Sequence, residues 1–219
     1  MKRLRFIAIV LVGLLLGGLA VFIWGEGEPY YDGKALSYWV LQPPAYGGSI
    51  LRLLETESIT AIRTIGTNGL PILVRMVASH DGAIKSKFIS LLNSQKLAHV
   101  HLYTDNEKQD SATFAFQILG TNALPAVPAL SELTRNKYAT VRFWALVALL
   151  QIHPAKTILL PILTRQLSDS DKRVQNSAAG YLAALYPEEA ERLGLYKTFP
   201  QLNPAPFINP AKTSSSTNK

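Results

Sequence analysis

The chain has 219 residues, 48% of them hydrophobic, enough for one folded domain with its own core, and it contains no cysteine. That excludes disulfides, thiolate metal sites and a cysteine nucleophile, while an oxidising and a reducing compartment stay equally open. The formal charge is +7, but Lys2, Arg3 and Arg5 lie at the start; from Gly25 onward 19 basic residues face 15 acidic ones, short of the electrostatic footprint of a nucleic-acid binder.

Those three cations precede an uncharged run from Phe6 to Trp24, whose 19 residues approach the length of a membrane-crossing helix. Glu26, Glu28 and Asp32 come after it. Positive flanks stay cytoplasmic, so the body is expected outside the cytoplasm, on the periplasmic side in a bacterium. A retained single-pass anchor over 1–25 is the favoured reading, because Val21 to Trp24 prolong the apolar run beyond the small-residue site at Gly18-Leu19-Ala20. A cleaved signal peptide, leaving a secreted or periplasmic body, is its rival.

Residues 26–48 read as a linker and N-terminal cap. They carry Tyr30, Tyr31, Tyr38, Trp39 and Tyr46, with Pro43-Pro44 and Gly47-Gly48 interrupting. Lys34 to Gln42 is expected to form a short helix, capped by Asp32 or Gly33, over the open end of a helical stack. An aromatic ligand platform is the lesser alternative.

From residue 58 a single pattern is written four times. Ser58-x-x-Ala61-Ile62-x-x-Ile65 is succeeded by Ala112-x-x-Ala115-Phe116-x-x-Leu119, Ala145-x-x-Ala148-Leu149-x-x-Ile152 and Ala178-x-x-Tyr181-Leu182-x-x-Leu185, with starts 54, 33 and 33 residues apart. The spacing predicts one amphipathic helix per copy, with small residues that let a neighbour approach closely. Gly66-Thr67-Asn68 and Gly120-Thr121-Asn122 suit the end of one helix and the cap of the next. Second helices are expected at Leu70-Pro71 and Leu160-Pro161, with proline in the first turn, where no N–H is needed. Self-similar hairpins with a period in the thirties predict an all-α solenoid of about four units over 49–198.

The longer first interval holds Ile84, Phe88, Leu91, Leu92 and Leu97 at helical spacing, an extra helix within 83–100. His101 to Asp110 then reads as a polar connector, with a turn at Thr104-Asp105-Asn106-Glu107. In the third unit Tyr138, Phe143 and Trp144 read as core aromatics. Pro187-Glu188-Glu189-Ala190-Glu191 opens a short terminal helix ending near Gly194. The proline- and serine-rich 199–219 reads as a disordered tail.

Val141-Arg142-x-x-Ala145-x-x-Ala148-Leu149-x-x-Ile152 resembles the first helix of a HEAT repeat, of the short variety in HEAT-like proteins related to bilin lyases; Val127-Pro128-Ala129-Leu130 resembles the start of its second helix. The resemblance spans about residues 57 to 195 and implies a fold more than a function. Gln175 departs from it where the family has Arg, and His153 and Tyr186 stand where it has the turn Gly.

Chemistry has no clear address. His80, His99, His101 and His153 form no His-Glu-x-x-His run, and His99 and His101 cannot share one helical face. No nucleophile elbow, phosphate loop or dinucleotide fingerprint occurs. Glu188, Glu189 and Glu191 crowd one helix start, and Asp169 and Asp171 read as turn and capping residues.

These features lead to a non-catalytic protein–protein interaction scaffold tethered to a membrane through residues 6–24. Its expected partner is a protein or peptide, with no nucleic acid, metal or small-molecule cofactor. The alternatives are an enzyme or enzyme accessory of the HEAT-like bilin-lyase type, or a nucleic-acid-binding HEAT-like protein. Aligning the second helices on Pro71, Pro128 and Pro161 sets Arg75, Glu132 and Arg165 in one column, the candidate partner-binding surface, whose sign alternates where a phosphate-binding surface would be uniformly basic.

Overall fold

The computed structural model describes residues 27–41, 57–80 and 103–202. The leader, the 83–100 helix, His99, His101 and the chain beyond 202 lie outside the described residues. Among the described residues no helix is long and apolar enough to cross a membrane.

Among the described residues the architecture is all-α apart from one two-residue ladder. Strands β1 (Tyr30–Tyr31) and β2 (Lys34–Ala35) pair antiparallel and lead into α1 (Leu36–Leu41). Then come α2 (Glu57–Ile65) and α3 (Leu70–Val77), α4 (Asp105–Leu119) and α5 (Val127–Leu133), and α6 (Ala139–Ile152) and α7 (Lys156–Gln166). The chain continues through α8 (Lys172–Leu185), α9 (Pro187–Arg192) and α10 (Leu195–Thr198). Short 3₁₀ turns at Gly66–Gly69 and Gly120–Ala126 join the first two pairs, and another lies at Pro200–Leu202.

The four repeated segments are α2, α4, α6 and α8, and they pack side by side in chain order, α4 on α2, α6 on α4 and α8 on α6. Each second helix packs on the first helix of the next unit: α3 on α4, α5 on α6 and α7 on α8. The alanines explain the closeness of the row. Ala61, Ala112, Ala115, Ala145, Ala148 and Ala178 are all fully enclosed, and methyl side chains let neighbouring helices approach closely. Phe116, Leu73, Leu130, Leu149 and Leu163 fill the seams between them, each worth about 1.5–3 kcal/mol when fully buried. The pattern decays at both ends, where Ser58 and Tyr181 are half-buried and Leu185 is exposed.

Helix ends use the predicted residues in partly unpredicted ways. Gly66 and Gly120 have positive φ, +57° and +50°, where a side chain is strained. His153 ends α6 in the left-handed conformation, φ 55° and ψ 56°, where the HEAT-like pattern has glycine. Thr67, Asn68, Thr121 and Asn122 do not cap the second helices; they are wound into the 3₁₀ turns. At Gly69 a Cβ would lie 2.6 Å from Leu36 Cδ2, so a side chain there would make Leu36 shift where α1 meets the turn.

Several expectations are corrected. Lys34 and Ala35 are strand rather than helix, because Asp32 and Gly33 both take positive φ and close a tight hairpin. Thr104 to Glu107 is the start of α4, not a turn. Thr104 Oγ1 accepts from Glu107 N–H while the Glu107 carboxylate accepts from Thr104 N–H, a complete capping box. Helix α7 begins at Lys156, so Pro161 lies inside it rather than in its first turn. Phe143 is half-buried outside the core, under the Arg173 guanidinium at 4.5 Å, whereas Trp144 is half-buried and packs against the core while its Nε1 donates to Asn106 Oδ1. The fold also runs past 198, because Phe199 and Leu202 pack against the core.

Candidate functional site

The second helices share one register, and burial marks it independently of the prolines. Two residues after Pro71, Pro128 and Pro161 stand Leu73, Leu130 and Leu163, each with no accessible surface. Two residues further, Arg75, Glu132 and Arg165 are all exposed. On a helix, residues four apart share a face, so each charged residue lies one turn beyond an exposed proline, opposite the leucine that anchors its helix. Arg75 and Arg165 fall in the last turns of α3 and α7, where cations complement the helix dipole.

Two members of the column are brought together. Arg165 Nη2 donates to Thr134 Oγ1 at 2.6 Å, and the adjoining Gln166 Nε2 donates to the Thr134 carbonyl at 2.6 Å. Thr134 closes α5, so these bonds fasten the end of α7 to the end of α5. Glu132 lies on that same end, with its carboxylate 3.5 Å from Arg135 Nη1. Partial burial holds the Arg165 guanidinium below its ordinary pKa, the positive field of Arg135 adds to this, and Glu132 opposes it. Among the described residues Arg75 makes no ion pair with Glu132. Arg135 is the member that the proline alignment did not include; its signal was the i, i+3 spacing from Glu132.

A second set of polar residues joins neighbouring helices; the sequence marked Arg142, Gln175, Asp169 and Asp171, and Gln109 is the one it did not single out. Three residues before the opening alanine of the last three copies stand Gln109, Arg142 and Gln175. Gln109 Nε2, buried, donates to the carbonyls of Val77 at 3.1 Å and Ser79 at 2.8 Å, closing the end of α3. Arg142 Nη1 likewise donates to the carbonyls of Asn136 and Lys137, in the turn before α6. Its other nitrogens reach forward, Nε to Asp169 Oδ2 at 2.7 Å and Nη2 to Asp169 Oδ1 at 2.6 Å. The Arg142 hydrogen bonds hold the Asp169 carboxyl below the usual carboxylate range, against the effect of burial and with help from the Asp171 N–H. Arg142 is correspondingly raised, first by that same bond. Asp171 caps α8 through the N–H groups of Arg173 and Val174. Gln175 holds no such place; its side chain accepts from Lys172. These groups are saturated by their own joints, which makes them structural linkers between units.

The remaining polar candidates are also engaged. His80 stacks on Tyr138 with ring centroids 3.4 Å apart. His153 Nδ1 lies 3.2 Å from the Gln151 carbonyl. Glu189 pairs with Arg192 at 2.8 Å and Lys156 at 3.4 Å, and the Arg192 hydrogen bond lowers its pKa. Among the described residues no three His, Asp or Glu side chains are placed to hold a metal ion. A groove of about 250 Å³ runs between α1, α4 and α6, walled by Val40, Phe114, Trp144 and Val147. A cleft of about 430 Å³ lies beside Tyr31, Trp39, Asp32 and Glu57.

No family model, curated protein or solved structure matches this chain.

Proposed function

We propose that this protein is a non-catalytic interaction scaffold, a short α-solenoid of HEAT-like hairpins held at a membrane by residues 6–24, that binds a protein or peptide on the surface of its second helices. The observation that carries this reading is the common register of Arg75, Glu132 and Arg165, each exposed two residues beyond a fully enclosed leucine. The in-order packing of α2, α4, α6 and α8, with each second helix bridging to the next unit, supports the solenoid. Such stacks offer a repeated surface, along which charged positions set specificity and encounter rate.

The test is photo-crosslinking in native membranes. A photoreactive residue is placed at Ala129, on the exposed face of α5, and in a second variant at Phe114, on the exposed face of α4. The proposal expects a discrete adduct from position 129 that is lost when Arg75 and Arg165 are both changed to Glu. Adducts from position 114 alone, or none from position 129, would move the interaction to the first-helix side or remove it.

A further inference from the structure

The second-helix surface has a net sign that its column of residues does not reveal. Glu132 shares its exposed helix end with Arg135, 3.5 Å away, so the middle unit contributes no net charge. Arg75 and Arg165 each leave one positive charge, and the row reads plus, neutral, plus.

The positive end is also built rather than loose. Thr134 receives Arg165 through its hydroxyl and Gln166 through its carbonyl, which sets the Arg165 guanidinium beside Arg135. A guanidinium already oriented loses less freedom when it takes a carboxylate across its fork of donors. Apolar side chains accompany the row. Leu124, in the 3₁₀ turn leading into α5, is 45% exposed, and Ile158, in the first turn of α7, is 42% exposed. Pro128 and Pro161 are exposed on the same helices.

We infer that the partner contacts this surface with an acidic segment of protein, its Asp or Glu carboxylates paired to Arg75 and Arg165 and its apolar side chains covering Leu124 and Ile158. This inference rests on the scaffold reading and names the chemistry of its partner. A nucleic acid fits less well. Its affinity comes from many neutralised phosphates, whereas this row offers two net charges, a carboxylate in its middle and apolar neighbours that a phosphate backbone cannot use.

The experiment is fluorescence anisotropy on the full chain in a nonionic detergent, with three labelled probes: an amphipathic Glu/Leu peptide, its Lys/Leu counterpart and a short DNA duplex. The Glu/Leu peptide is expected to bind, to weaken about tenfold or more with Arg75→Glu plus Arg165→Glu, and to tighten with Glu132→Gln, since opposed rim charges tune encounter and specificity. Lys197→Glu, an exposed charge on α10 rather than on a second helix, is expected to leave it unchanged. Circular dichroism of every variant separates lost binding from lost folding. Glu/Leu binding that ignores the Arg75 and Arg165 reversals, or no binding of that peptide, overturns the inference. Preference for the Lys/Leu peptide, abolished by Glu132→Arg, overturns the acidic partner and leaves the scaffold standing. Tighter DNA binding with a steep salt dependence overturns both.

Discussion

Arg142 and Asp169 stand 27 residues apart in the chain and are joined by two charge-assisted hydrogen bonds, Nε to Oδ2 and Nη2 to Oδ1. The same guanidinium donates to the carbonyls of Asn136 and Lys137, so one side chain ties the turn entering α6 to the turn entering α8. The two side chains are 12% and 4% exposed. This joint ties the end of α7 and the start of α8 to the start of α6.

Removing one partner should therefore leave an enclosed charge without its counter-ion. Arg142→Ala is predicted to destabilise the fold by about 3 kcal/mol, toward the lower part of the range for broken buried pairs because the guanidinium keeps some solvent contact. Chemical unfolding of Arg142→Ala, Asp169→Ala and the double variant checks this. A double variant no less stable than either single one is expected, and fully additive losses would show that the pair is not coupled.

The same pair predicts a pH dependence. Asp169 has its pKa depressed in the folded protein, so the unfolded chain binds the proton first. Its stabilisation is complete above the unfolded carboxyl value, about 4, and is lost as pH falls through the lower folded value. Asp169→Asn should be less stable than the parent protein at neutral pH and should lose less stability on acidification below about pH 4. Unfolding free energies measured at a series of pH values test it; parallel curves for the two proteins would contradict it.

Stacking of the first helices depends on the small residues between them. Ala148 has no accessible surface, so Ala148→Phe is predicted to cost about 1–3 kcal/mol by overpacking. Gln201→Ala, at an exposed position near the end of the described fold, should change the thermal midpoint little. Equal midpoints for the parent and Ala148→Phe would mean that the buried face has been wrongly assigned.

The capping box of α4 offers a local test. Thr104→Ala removes the acceptor for Glu107 N–H and should cost about 1 kcal/mol. Faster amide exchange in residues 105–108, with the last turns of α4 unaffected, is the expected signature.

The range of each interaction decides how much of the fold and of the candidate site was legible in the sequence. The four first helices were readable because burial repeats every three or four residues, and Ala145, Ala148, Leu149 and Ile152 are enclosed as their spacing requires. The α4 start was written as Thr-x-x-Glu, yet the polar residues after it concealed a helix whose apolar face begins at Ala112. Lys34 and Ala35 form a ladder too short for any alternation to announce it, and Asp32 at φ 47° does what a second glycine would ordinarily do. Pro161 misled because the Pro71 and Pro128 helices do start beside their prolines, whereas α7 tolerates one on its exposed side. Arg142 with Asp169, and Arg165 with Thr134, join residues about a repeat apart, and no local pattern reports such pairs. Arg75, Glu132 and Arg165 were aligned from the prolines alone, and the enclosed leucines beside them give that alignment its physical basis.

The central claim is that the second-helix column is where a partner binds. The most direct measurement is quantitative capture of partner protein from native membranes by the full chain and by its Arg75→Glu, Arg165→Glu double variant, with helical content and melting followed in parallel. The account predicts that capture by the double variant falls to background while its circular dichroism stays that of a folded helical protein and its thermal midpoint drops only by the loss of the Arg165–Thr134 bond. Undiminished capture by a folded double variant would contradict it.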